Sequence, residues 1–139
     1  MITLRVTITT AGSKLPKKRP KYLDLLKIRQ PLPAVISILH RISGALLFFP
    51  GIPLVLCGLD MALGSSEDYA RLQSFLNNPM AKFGLILALW FFLHHFCAGI
   101  RYLALDLHYG VKLEQARLSS KVVVGAGIVL TLLTGAVIW

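Results

Sequence analysis

Three apolar runs take up most of this chain, and each is long enough to cross a bilayer as a helix. They cover about residues 31–63, 80–107 and 122–139. The hydrocarbon interior offers a peptide group no hydrogen-bond partner, so a single chain of this pattern must satisfy its backbone within helices. The expected fold is an all-α membrane protein with three transmembrane helices. A mean hydropathy of +0.68 over 139 residues, with 55% hydrophobic side chains, leaves no composition for a separate soluble core. The chain divides into a basic segment, residues 1–30, expected in the cytoplasm, and a three-helix anchor domain, residues 31–139.

The net charge of +9 does not point to nucleic acid, because the basic residues do not cover an amphipathic surface. Lys14, Lys17, Lys18, Arg19, Lys21, Lys27 and Arg29 precede the first apolar run, against Asp24 alone. That placement reads as a topology signal and a contact with lipid headgroups. The connection after the second run is also basic, and the one after the first is nearly neutral. The positive-inside rule therefore puts the N-terminus in the cytoplasm and Trp139 on the periplasmic side, anchored at the interface. Residues 1–29 lack the apolar core and cleavage site of a secretory signal. A mitochondrial presequence is the alternative, and the absence of an amphipathic arginine face favours a bacterial inner-membrane protein instead. RPKYLDLLKIR, Arg19 to Arg29, is expected to form a short interfacial turn.

Within the first run, Pro31 and Pro33 suit a helix entrance, and Pro50 and Pro53 predict a kink further along. Residues 60–79 and 108–121 read as polar connections. Cys57 and Cys97 both fall in apolar runs without CxxC spacing and read as small apolar residues, with no disulfide implied.

His94 and His95 lie inside the second run, where an ionisable side chain is costly unless something uses it. Adjacent helical residues point about 100° apart, so the two imidazoles serve different neighbours. His95 and Gly99 share a face at i and i+4, and a flat ligand on His95 could lie against the glycine. Haem iron suits such a lone imidazole. The other reading is a histidine bonded to a carbonyl or serine of a neighbouring helix.

Ser37, His40 and Arg41 stand at i, i+3 and i+4 near the start of the first run. A hydroxyl, an imidazole and a guanidinium there supply donors for quinone carbonyls close to water. The alternative is an arginine reaching lipid phosphate and a serine bonded to its own backbone. Asp106 is eleven positions beyond His95, about 16 Å along a helix, and so lies near the same boundary. Arg101 and Asp106 read equally as a boundary ion pair.

SILHRISG, Ser37 to Gly44, preceded by RPKYLDL and IRQPLPA, resembles the first-helix signature of the cytochrome b membrane-anchor subunits of succinate dehydrogenase. The second signature, H-x-x-x-G-I-R-x-x-x-x-D, is matched by His95, Gly99, Ile100, Arg101 and Asp106. The two motifs occur in order, with a third apolar run after them, and the likeness covers nearly everything beyond Arg19.

The resemblance implies half of a heterodimeric haem-binding helical bundle within complex II. It implies that His95 is one axial ligand of a haem b and that a second small anchor subunit supplies the other. It further implies that His40 and Arg41 approach the haem propionates, that Ser37 and Arg41 belong to a ubiquinone site, and that Asp106 lies near the mouth of that site. The implied partners are that second anchor, an iron–sulfur subunit, a flavoprotein subunit and the bilayer. Tyr102 stands where some relatives have a further histidine, and no role carries over to His94. The implied activity is electron transfer from the iron–sulfur subunit to quinone, as part of a succinate:quinone oxidoreductase. A fumarate reductase anchor is the close alternative. A small transporter subunit is the remote one, since no internal repeat is visible.

Overall fold

A computed structural model describes residues 29–138 of the chain. The basic segment up to residue 28, including most of the expected interfacial turn, and the Trp139 anchor lie outside the described residues. The described residues form helices α1 (Leu32–Leu46), α2 (Ile52–Leu63), α3 (Ser66–Asn77), α4 (Pro79–Asp106) and α5 (Leu113–Ile138). A π-helical turn, Leu47–Gly51, joins α1 to α2, so the two run as one span of 32 residues. With α4 and α5 this makes three helices long and apolar enough to cross a membrane.

The π turn is where the sequence predicts a kink. Pro50 has no N–H to donate, and its ring crowds the carbonyl four residues back, that of Leu46. Widening the turn absorbs both effects without ending the helix. Gly51 completes it, since a Cβ there would lie 3.3 Å from the Leu46 oxygen.

The first connection differs from expectation. It is not an irregular polar loop, because Ser65 and Asp68 form a capping box that starts α3. The Ser65 hydroxyl oxygen accepts from the Asp68 N–H at 3.1 Å, and the Asp68 carboxylate accepts from the Ser65 hydroxyl at 2.7 Å. Asn78 then caps α4 by accepting from the Met80 N–H at 2.9 Å, with Pro79 at the first helical position.

The second connection is also shorter than predicted, since α5 begins at Leu113 and not at Val122. Leu113 to Lys121 contains good helix formers, with Glu114 in the first turn, and polar character does not stop such a segment from extending the span towards water. What remains is a tight reversal. Tyr109 N–H bonds the Ala104 carbonyl and His108 N–H the Leu105 carbonyl, each at 2.9 Å, with His108 at φ 65°. This is a Schellman closure with histidine in the left-handed position that glycine most often takes.

The three spans run up, down and up, so the start of α1, the end of α4 and the start of α5 share one end of the bundle. The buried core sits towards that end, where Ile36, Ala98 and Val123 meet from the three spans. Beside them the fully buried Ser43 and Ser120 keep the helices close. Most large apolar side chains elsewhere are exposed, as lipid or a partner helix requires.

Candidate functional site

Ile36, His40, Ser43 and Gly44 are spaced so that one stripe of α1 faces α4, and the structure places the candidate site along it. His40 and His95 stack face to face, ring centroids 4.2 Å apart and planes 10° from parallel. The other side of His40 meets Tyr102, at 5.1 Å and 49°. His95 Nδ1 is 3.1 Å from the His40 carbonyl oxygen and 3.1 Å from Ser43 Oγ. The Ser43 hydroxyl itself donates to the His40 carbonyl at 2.9 Å.

These distances decide which ring nitrogen carries the proton. A carbonyl oxygen can only accept, so a bare Nδ1 at 3.1 Å would set two lone pairs against each other. Nδ1 therefore carries hydrogen, and Nε2 keeps a lone pair that makes no hydrogen bond among the described residues. The second reading of His95 from the sequence, an imidazole bonded to a neighbouring helix, is thus what the geometry shows at Nδ1.

Glycine is needed opposite the His95 ring on α1. A Cβ on Gly44 would lie 2.9 Å from His95 Cε1, closer than van der Waals contact allows. A Cβ on Gly99 would meet only His40 Nε2, at 3.8 Å. The space beside Gly99 is bordered by the His40 ring. Beyond His95 the seam between the first two spans opens into an apolar groove lined by Leu47, Pro50, Gly51, Gly84, Ala88 and Phe91, among others.

The predicted face of Ser37, His40 and Arg41 divides. His40 turns to α4, while Arg41, one residue and about 100° further round, is exposed and forms no ion pair among the described residues. Ser37 is half-buried one turn before His40. Asp106, the last residue of α4, is exposed, and no hydrogen bond or ion pair joins it to Ser37 or Arg41.

The Arg101–Asp106 ion pair is not formed. Arg101 is 8% exposed and turns to α5, where Nε donates to Ser119 Oγ at 3.0 Å and a terminal nitrogen approaches the Ala116 carbonyl at 3.4 Å. Its position lies one turn and a half before Asp106, on a different face of the helix, so α5 claims it first.

His94 points the other way from His95. It is 1% exposed, stacks on Trp90 at 5.4 Å, and its backbone lies against Gly127 of α5. Its Nε2 and the Tyr102 hydroxyl are buried without a hydrogen-bond partner among the described residues. The same residues contain no group of three or more His, Cys, Asp or Glu side chains able to hold a bare metal ion. A prosthetic group that brings its own metal and asks for one imidazole fits His95: Nδ1 carries the proton, the ring is pinned against α1, and Nε2 makes no hydrogen bond among the described residues.

Three helices able to cross a membrane, with a pinned histidine between the first two, define a polytopic helical membrane protein, and the comparisons narrow the class. Residues 16–134 match the succinate dehydrogenase/fumarate reductase transmembrane subunit family, and the chain belongs to that family. It is 38% identical over 123 residues to the succinate dehydrogenase cytochrome b556 subunit of Coxiella burnetii, covering 88% of this chain and 98% of that one. It is 34% identical over 116 residues to the subunit of the same name from Paracoccus denitrificans, covering 84% and 88%. With that of Rickettsia felis the identity is 30% over 126 residues, covering 91% and 98%. The chain is thus a multi-pass membrane-anchor subunit of a succinate-oxidising or fumarate-reducing complex.

Ser43 is the site residue that sequence reasoning passed over. It lies in SILHRISG, and the signal was a helical stripe: Ile36, His40, Ser43 and Gly44 fall within about 100° of arc. Ser119 gave no comparable signal.

Proposed function

We propose that this subunit holds a b-type haem through His95, shares it with a histidine of a second anchor subunit, and helps a ubiquinone accept electrons from the iron–sulfur subunit. The observation that carries the reading is the state of His95, with Nδ1–H held by the His40 carbonyl and Nε2 left free. His40 lies face to face with His95, so their nitrogens do not converge on one ion, and His94 is sealed against α5. Both facts support a second ligand from another chain. The apolar groove that starts about one turn beyond His95, at Phe91 and Leu47, supports an apolar occupant in this seam.

A haem held there would supply one-electron exchange, and the chain's own residues would do the rest. His40 and Arg41 would hold the propionates by hydrogen bonds and charge. Ser37 and the exposed Arg41 would donate to quinone carbonyl oxygens. As two electrons and two protons convert quinone to quinol, negative charge builds on those oxygens. A fixed guanidinium favours that charge most where water is scarce. Asp106, exposed at the end of α4, would exchange protons with water at the mouth of the site. The N-terminus and the α4–α5 reversal would face the cytoplasm, the side where the flavoprotein and iron–sulfur subunits dock. The basic residues at that end of the chain support this orientation.

The test uses the assembled complex in membranes. A reduced-minus-oxidised spectrum should show a b-type haem, lost or weakened in His95→Ala. Arg41→Ala should slow succinate-to-quinone electron transfer by a factor of about ten or more while succinate-to-dye activity persists. Full quinone activity in Arg41→Ala, with activity abolished by His95→Ala in an intact complex, would reverse the two assignments.

A further inference from the structure

Ser43 is fully buried at the centre of the α1–α4 seam. A serine in a helix commonly bonds its own backbone, and here its hydroxyl hydrogen does go to the His40 carbonyl three residues back. That bond leaves the oxygen lone pairs free, and they face His95 Nδ1 at 3.1 Å. The same carbonyl that takes the serine hydrogen is also 3.1 Å from Nδ1. The imidazole N–H therefore points into a two-acceptor cradle, and Ser43 both closes the cradle and helps direct it.

We propose that Ser43 is a positioning residue for His95, fixing its Nδ1–H tautomer and making Nε2 a stronger donor to the metal. The proposal rests on the reading of His95 as a haem ligand. Acceptors on the remote N–H of a ligating imidazole fix its orientation and raise its basicity. With Ser43 the N–H has two such acceptors, and without it one. A less basic imidazole stabilises oxidised iron less, so removing the hydroxyl should raise the haem's midpoint potential. A serine that only fills space or bends α1 would leave the potential unchanged.

The experiment compares wild type, Ser43→Ala and Ser43→Cys in the purified assembled complex, reading haem content and a redox titration of the haem. Retained haem with a higher midpoint potential is expected in Ser43→Ala, and a smaller rise in Ser43→Cys. Cysteine keeps the seam filled, with a slightly larger atom, while weakening both hydrogen bonds, so Ser43→Cys carries the measurement if the alanine variant fails to assemble. Retained haem with an unchanged or lower potential overturns the proposal. A wild-type complex without haem, or a His95→Ala complex that keeps its haem unaltered, overturns instead the assignment of His95 beneath it.

Discussion

His94 and His95 are neighbours in sequence, yet one is sealed against α5 with an unpartnered nitrogen and the other is held against α1 by two hydrogen-bond acceptors. The α4–α5 seam is closed by packing: Ala98 and Val123 fill its middle, Gly127 lies against the His94 backbone, and its polar contacts gather at the end, where Arg101 reaches Ser119. The α1–α4 seam instead places its polar groups in the middle. Such groups are costly in a membrane interior unless satisfied, and the Ser43 hydroxyl, the His40 carbonyl and His95 Nδ1 satisfy one another. One seam holds the bundle together, and the other holds a ligand-competent side chain in place.

The largest expected difference between the seams comes from the same substitution made on each. Gly44→Ala puts a Cβ 2.9 Å from a ring already pinned by hydrogen bonds and stacking, and should lower haem affinity by about tenfold to a hundredfold. Gly127→Ala meets its nearest atom at 3.6 Å, an ordinary contact, and should leave haem intact and stability within about 1 kcal/mol. Haem titration of both variants checks this, and equal losses would erase the distinction between the seams.

Next comes the fastening at the end of the α4–α5 seam. Arg101→Met keeps the length of the side chain but removes the donors to Ser119 and Ala116, and should cost about 1.5–3 kcal/mol in thermal or denaturant unfolding of the complex. Unchanged stability would mean that packing alone closes this seam.

His94→Phe sharpens the comparison from the opposite direction. It keeps an aromatic ring against Trp90 and removes a buried nitrogen without a partner, so stability should rise by about 1 kcal/mol with haem retained. A loss of haem would show that the α4–α5 seam also serves the ligand.

The smallest effect lies outside both seams, in α3. Hydrogen bonds from the Ser65 side chain and backbone hold the Asp68 carboxyl below its ordinary value of 3.8, with Arg71 adding a lesser push and slight desolvation opposing. A carboxyl whose folded pKa is depressed contributes fully above its unfolded value, and the contribution fades as pH falls through the folded one. Amide-exchange protection at the start of α3, taken relative to the intrinsic rate at each pH, should therefore stay flat from neutral pH down to about 5 and fall only below about 4, while the His95 seam does not respond to this group. A loss of protection already near neutral pH would show that the capping box does not hold this helix.

Much of the fold was legible in advance, because hydropathy and length leave a chain of this kind few options. Pro50 announced the distortion in the first span, and the adjacent imidazoles announced that two different neighbours would face α4. The capping box of Ser65 and Asp68 was equally written in the chain, but its polarity made it read as a loop. The start of α5 was hidden for a related reason: polar residues from Leu113 to Lys121 can extend a membrane helix into the headgroup region, so composition changes before the helix ends. The shared face of Ser37, His40 and Arg41 was read too broadly, since spacing tells which residues are neighbours on a helix and not which of them the next helix will cover.

The sequence by itself determined three membrane-spanning helices, a basic N-terminal end and His95 as the side chain most in need of a partner. Apolar length, charge distribution and the cost of an imidazole in lipid are properties of residues alone. Only the tertiary structure decided that Gly44 lets the His95 ring approach α1, that Arg101 belongs to α5, and that Ser43 and the His40 carbonyl share the His95 N–H. Those outcomes depend on how far each helix is rotated about its own axis when it packs, and that rotation is set by the fit of Ile36, Ala98 and Val123 where the three spans meet.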